Sequence, residues 1–169
     1  MSCRSRIDNK LGPTHMRRTL YVFGANQELV EALTKLGARF IVIGGLAVQF
    51  HVPGRHVDDL DLLIDPTVQT AKAVIAALSS NPMVMHSITV EELIQPKRMQ
   101  IPAKVYFYAD ILTPGPDMVF EEHWAQAYES RIGSTPVKVA SVTTLLELLS
   151  LSTEPKHADD IAHLKAGQG

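Results

Sequence analysis

The chain predicts a mixed α/β domain. Three observations carry that reading: two strand-like runs, the β-branched apolar Arg39–Ile43 and Val57–Ile64; apolar residues at helical spacing around them; and glycine or proline at most junctions. In Gln27–Leu36, Leu29, Val30, Leu33 and Leu36 share one helical face, and Gly37 supplies the stop. RFIVI, residues 39–43, reads as a buried strand that runs into a tight turn at Gly44-Gly45, with a short helix from Leu46 to Phe50. After the loop His51-Val52-Pro53-Gly54 comes a second strand, Val57–Ile64. Asp65 as N-cap and Pro66 at the first helical position then open a helix through Leu78. Weaker signals suggest a strand at Val84–Ile88 and a short helix at Val90–Ile94. Lys104–Leu112 is strand-like, Phe120–Tyr128 helical and Val137–Val139 a short strand. Val142–Leu151 is a helix capped by Ser141, and a last helix covers His157–Lys165.

With 169 residues, 46% hydrophobic and 20% charged, the chain fits one domain with a core of its own. Cys3 is the only cysteine, so an intrachain disulfide and any multi-cysteine metal site are excluded, and a cytoplasmic location is expected. The longest apolar stretch, Phe40–Phe50, is about half of the ~20 residues a membrane span needs, so no membrane association is expected. Residues 1–18 carry Arg4, Arg6, Lys10, Arg17 and Arg18 against Asp8, a local +4 that leaves −6 for the remainder. They read as a disordered basic leader, with Met16 as an alternative start and a single domain over 19–169. The acidic remainder argues against extended DNA binding.

The informative segment is IVIGGLAVQFHVPGRHVDDLDLLID, residues 41–65. Alternation along a strand puts Asp59 and Asp61 on one face, about 7 Å apart at Cα, and Leu60, Leu62 and Ile64 on the other. Two neighbouring carboxylates disfavour each other's ionisation unless a cation neutralises them, and hard oxygen ligands suit Mg²⁺. Asp110, the single charged group between Val105 and Leu112, is a third candidate. Together the three could hold two ions about 3.5–4 Å apart, the arrangement that serves in-line displacement at phosphorus. Gly44-Gly45 would allow a phosphate to approach the backbone at a helix N-terminus, and Arg55 would reach the same phosphate.

A glycine pair, thirteen intervening residues and then Asp59-Leu60-Asp61-Leu62 resembles the signature of the DNA polymerase β-like nucleotidyltransferase superfamily, with Asp110 in the place of its third carboxylate. GGLAVQFH, Arg55, YADIL, Phe120-Glu121-Glu122-His123-Trp124 and PVKVAS resemble the small bacterial members related to abortive-infection toxin nucleotidyltransferases, over roughly residues 25–165. The resemblance implies a small mixed sheet with helices mainly on one face and a helical C-terminal tail. It also implies a nucleoside triphosphate bound with two Mg²⁺ ions and transfer of a nucleoside monophosphate to a hydroxyl of an RNA, a protein or a small molecule. Asp59 and Asp61 would ligate both ions; Asp110 would hold one and help to activate the acceptor. Gly44, Gly45, Arg55, His51 and Lys156 would serve the nucleotide. An antitoxin or a second copy of the chain is an expected partner.

The chain also departs from this pattern. Its Val142–Ser152 segment has no lysine or arginine where relatives commonly carry a lysine, and His157 stands where an acid is usual. Lys138, Lys156 or Arg55 would have to substitute. The alternative is a catalytically degenerate relative that binds a nucleotide or a protein, or a module that dimerises through the apolar Leu145–Leu151 helix. Read without the resemblance, Asp59 and Asp61 are the solvent face of an edge strand, Gly44-Gly45 is a plain turn, Arg55 a surface ion-pair partner and Trp124 a core anchor. His51 with His56 makes a poor metal pair in a loop without cysteines, and His157, Asp160 and His163 read as a solvated helix face. P-loop, dinucleotide-binding and G-x-S-x-G motifs do not occur.

Overall fold

The computed structural model describes residues 19–54, 57, 59–80, 87–103 and 109–167. Among these the order of elements is β1 (Thr19–Leu20), α1 (Gly24–Lys35), β2 (Phe40–Ile43), α2 (Gly44–His51), β3 (Leu60–Ile64), α3 (Val68–Ser79), α4 (Val90–Leu93), β4 (Gln100–Pro102), β5 (Ala109–Leu112), α5 (Phe120–Gln126), β6 (Tyr128–Ile132), β7 (Thr135–Val139), α6 (Val142–Leu149) and α7 (Pro155–Gly167). The strands form one mixed sheet in the order β1-β6-β7-β2-β3-β5-β4. β2 is antiparallel to β3 and parallel to β7, and β3 is parallel to β5. The mixed α/β class and the helical tail are therefore as the sequence predicts. No helix among the described residues is long and apolar enough to cross a membrane.

The pattern of burial follows from strand alternation. Phe40, Val42, Leu60, Leu62, Ile64, Ala109, Ile111 and Val139 share one face and are all buried. Ile41, Ile43, Leu63, Asp61, Asp110, Leu112 and Lys138 share the other. All four residues of β2 are buried, so the centre of the sheet is covered on both faces. α2 packs on β2, β3, α6 and α7, and α1 packs on α3.

Several boundaries differ from expectation for local reasons. α1 starts three residues early, and Gly37, at φ 83°, follows its C-cap as foreseen. Asp65 does not cap α3. Its backbone N–H donates to Arg39 O and its side chain turns to the Arg39 guanidinium, which leaves Thr67 to cap the helix by accepting from Thr70 N. The glycine pair is not a turn ahead of α2 but its first two residues. Phe120–Tyr128 divides at Ala127, after which Tyr128 begins β6, a strand the apolar pattern does not reveal because Glu129 and Arg131 are exposed. β4 is hidden by Pro102, which the sheet tolerates because β4 lies at an edge. Of the expected strands, residues 84–86 and 104–108 lie outside the described residues.

Arg39 clamps α5 to the sheet. Its guanidinium donates to Asp65 Oδ2 at 3.0 Å and to both oxygens of Glu121 at 2.5 and 3.0 Å, and it lies 4.5 Å from the centroid of the Trp124 ring. Hydrogen bonding from Arg39 holds the Glu121 carboxyl below its ordinary range, whereas burial pushes Asp65 up against the pull of Arg39. Arg39→Met strips the buried Asp65 of its counter-charge and is expected to cost about 2 kcal/mol at neutral pH. The contribution of Glu121 is present above the ordinary Glu pKa and lost as pH falls through its lowered value, and the penalty on ionised Asp65 is relieved as pH falls through its raised value. The deficit of the variant should accordingly shrink on acidification. Urea denaturation at neutral and mildly acidic pH reads this directly, and a deficit that grows in acid contradicts it.

Candidate active site

Three strand positions meet at one level of the sheet. β2 ends at Ile43, which pairs with Asp61 of β3, and Asp61 in turn pairs with Asp110 of β5. Paired residues of neighbouring strands point to the same side and stand about 4.8 Å apart, so the two carboxylates are adjacent. Asp110 is buried and Asp61 half-buried. The backbone turns from β2 into α2 without a linker because Gly44 takes φ 65°. A methyl group built on Gly44 would lie 2.1 Å from Asp61 Oδ2 and 2.9 Å from Asp61 Cβ. The glycine thus makes room for the Asp61 carboxylate. Its position at the N-terminus of α2 favours a negative charge there. Gly45 follows as the second residue of α2, half-buried.

The remaining candidates are distributed around this pair. Asp59 precedes the strand instead of lying within it and is exposed. Among the described residues no group of three or more His, Cys, Asp or Glu side chains is gathered closely enough to hold a metal ion. What the fold brings together is the two-carboxylate set Asp61 and Asp110, whose oxygen donors and adjacent charges fit a hard divalent cation such as Mg²⁺. His51 closes α2 about 10 Å along the helix from Gly44. There its Nε2 is 2.7 Å from Ala140 O and its ring meets Phe50 and Tyr128 edge-on, so the helix end is tied to the start of α6.

Lys156 stands on α7, with Nζ 3.3 Å from Glu154 Oε2. It lines a cleft of about 410 Å³ shared with Val48, Val52, Pro53, Asp159, Asp160 and His163. Lys138 faces Glu129 at 3.7 Å and the Trp124 ring at 5.4 Å. Neither lysine stands with the carboxylate pair. Arg55 and His56 lie outside the described residues.

No protein-family model matches the chain, and no curated protein matches it. The likeness to nucleotidyltransferases therefore rests on the residues themselves.

Sequence reasoning missed a second polar network. His123 is buried, with Nδ1 2.6 Å from Thr144 Oγ1 and Nε2 3.4 Å from Glu147 Oε2, and Ser141 Oγ donates to Thr144 Oγ1 at 3.1 Å. Ser141 also accepts from Thr144 N, so the expected helix cap is in place and extends into a chain that fastens α5 to α6. The available signal was a histidine three positions after Phe120, on the same face of α5, since a buried imidazole needs partners for both ring nitrogens.

Proposed function

We propose that the chain is a Mg²⁺-dependent nucleotidyltransferase that moves a nucleoside monophosphate from a nucleoside triphosphate to a hydroxyl group. The observation that carries this reading is the in-register pairing of Asp61 with Asp110 beside Gly44 at φ 65°. Two carboxylates from different strands, aligned on one face and partly withdrawn from water, attract a divalent cation. Asp61 and Asp110 would hold the metal, with Asp59 as an outer ligand reached from the approach to β3. Bound there, Mg²⁺ would neutralise phosphate charge and make the acceptor hydroxyl more acidic.

The chain's own residues do the rest. Asp61 lies against Gly44, and Asp110 would take the acceptor's proton. Catalysis of this kind is positioning and electrostatics. An RNA, a protein side chain or a small alcohol would serve as acceptor, with an antitoxin or a second copy of the chain as partner. Incubating the full chain with Mg²⁺, each labelled nucleoside triphosphate in turn and pools of these acceptors should yield a labelled product and pyrophosphate, both abolished by a chelator. Absence of Mg²⁺-dependent triphosphate binding and of transfer to any acceptor sinks the reading.

A second reading, a nucleotide- or protein-binding module that has lost catalysis, is favoured by the exposed Asp59 and by α6, which carries no cation. Triphosphate binding without pyrophosphate release would distinguish it.

A further inference from the structure

Across the start of α7 the chain assembles a serine, a histidine and a carboxylate within six residues. Ser152 Oγ lies 2.5 Å from His157 Nδ1, and His157 Nε2 lies 3.9 Å from Glu154 Oε2. The Glu154 backbone N–H donates to Ser152 Oγ at 3.2 Å, which uses an acceptor position of the hydroxyl and leaves its proton free for the imidazole. With Nδ1 as acceptor, the proton of the neutral ring sits on Nε2 and faces the Glu154 carboxylate. Lys156 Nζ, 3.3 Å from the same oxygen, helps to fix that carboxylate. A hydroxyl within hydrogen-bond reach of an imidazole is the general signature of an activated nucleophile, and Glu154, beyond hydrogen-bond reach of the ring, adds its charge rather than a fixed orientation.

Access separates this cluster from the other one of like composition. Thr144, His123 and Glu147 form the same sequence of contacts, but Thr144 is 0% exposed and no reagent reaches it. Ser152 is half-buried, and the His157 side chain is 27% exposed. The positive end of α7 favours negative charge developing on Ser152 Oγ. It opposes the imidazolium on His157, and the Glu154 carboxylate offsets that opposition.

We propose that Ser152 is a reactive nucleophile with His157 as its base, open to acylation by activated esters and to phosphonylation by fluorophosphonates. Ser152 Oγ attacks the acyl carbon, the new C–O bond forms and the Oγ proton passes to His157 Nδ1; the leaving alcohol departs with that proton. Water then cleaves the acyl-serine and releases the acid. With a fluorophosphonate the P–O bond forms as the P–F bond breaks, and fluoride leaves.

The test incubates the full chain with a fluorophosphonate probe and with p-nitrophenyl acetate, and follows adducts by intact mass and peptide mapping. One adduct on Ser152 is expected, formed at least about 100-fold faster than on a blocked serine amide under the same conditions. Thr144 should stay unlabelled. His157→Gln should slow the labelling by a similar factor while the urea midpoint shifts little. The idea is overturned by labelling no faster than the free serine amide, by adducts spread over several hydroxyls, or by a Ser152 adduct whose rate His157→Gln leaves unchanged. The wild-type rate decides on its own if that substitution disturbs the start of α7.

Discussion

Replacing Asp61 by Asn is expected to reduce metal-dependent nucleotide transfer by about 10²–10³-fold, and Asp110→Asn by as much. Both remove a charged oxygen that acts on the transition state at a partly dehydrated position. Without metal, stability should move the other way. Asp61 and Asp110 are register partners, so their charges repel, and neutralising either one relieves that repulsion. In chelator the thermal midpoint of each variant should equal or exceed that of the wild type. With Mg²⁺ at a hundredfold excess over its Kd the wild type gains about 2.7 kcal/mol by linkage, roughly 5–10 °C for a domain of this size, and the variants gain far less. Differential scanning calorimetry with and without Mg²⁺ measures both halves. A wild-type Mg²⁺ response in Asp61→Asn would remove the carboxylate pair from the proposal.

Gly44→Ala should be the most damaging alanine substitution among the described glycines. A left-handed conformation costs a side-chain-bearing residue about 1–2 kcal/mol. The added carbon would also collide with the Asp61 carboxylate, including its Cβ, which cannot swing aside as a chain end could. Moving Asp61 off its rotamer adds about 1 kcal/mol. The sum, about 2–3 kcal/mol, corresponds to roughly 5–10 °C in Tm. Gly44→Ala/Asp61→Gly removes the colliding side chain and should recover the steric part while leaving the backbone part. Additive losses in that double variant would show that the two residues do not interact. Gly24→Ala, where an added carbon meets nothing within 4 Å, serves as the control.

The short range over which residues act accounts for what could be read from the sequence. β2 and α1 were legible because β-branched alternation and helical spacing are properties of consecutive residues. So was the Ser141 cap, whose partner Thr144 is three positions away. Asp65 was misplaced because Asp-Pro is a good local helix start, yet a guanidinium 26 positions earlier in the chain competes for its carboxylate and wins. Asp59 was assigned to the strand by alternation, but pairing starts at Leu60. The partnership of Asp61 with Asp110 was suggested by their chemistry and by resemblance but not by local pattern, since register between strands far apart in sequence leaves no local trace. The partners of Arg39 and of His123 were invisible for the same reason.

That register also sets when the site comes into being. Asp61 and Asp110 are 49 positions apart, and β5 must find its place beside β3 before they meet. Contacts of such separation form late and slowly, because the intervening chain must be ordered first. A partly folded chain with the local elements α1, α2 and the β6–β7 hairpin in place would have Gly44 and Asp61 but no paired carboxylate. Divalent-metal affinity should thus follow completion of the sheet, and metal-induced protection from hydrogen exchange would time that last step.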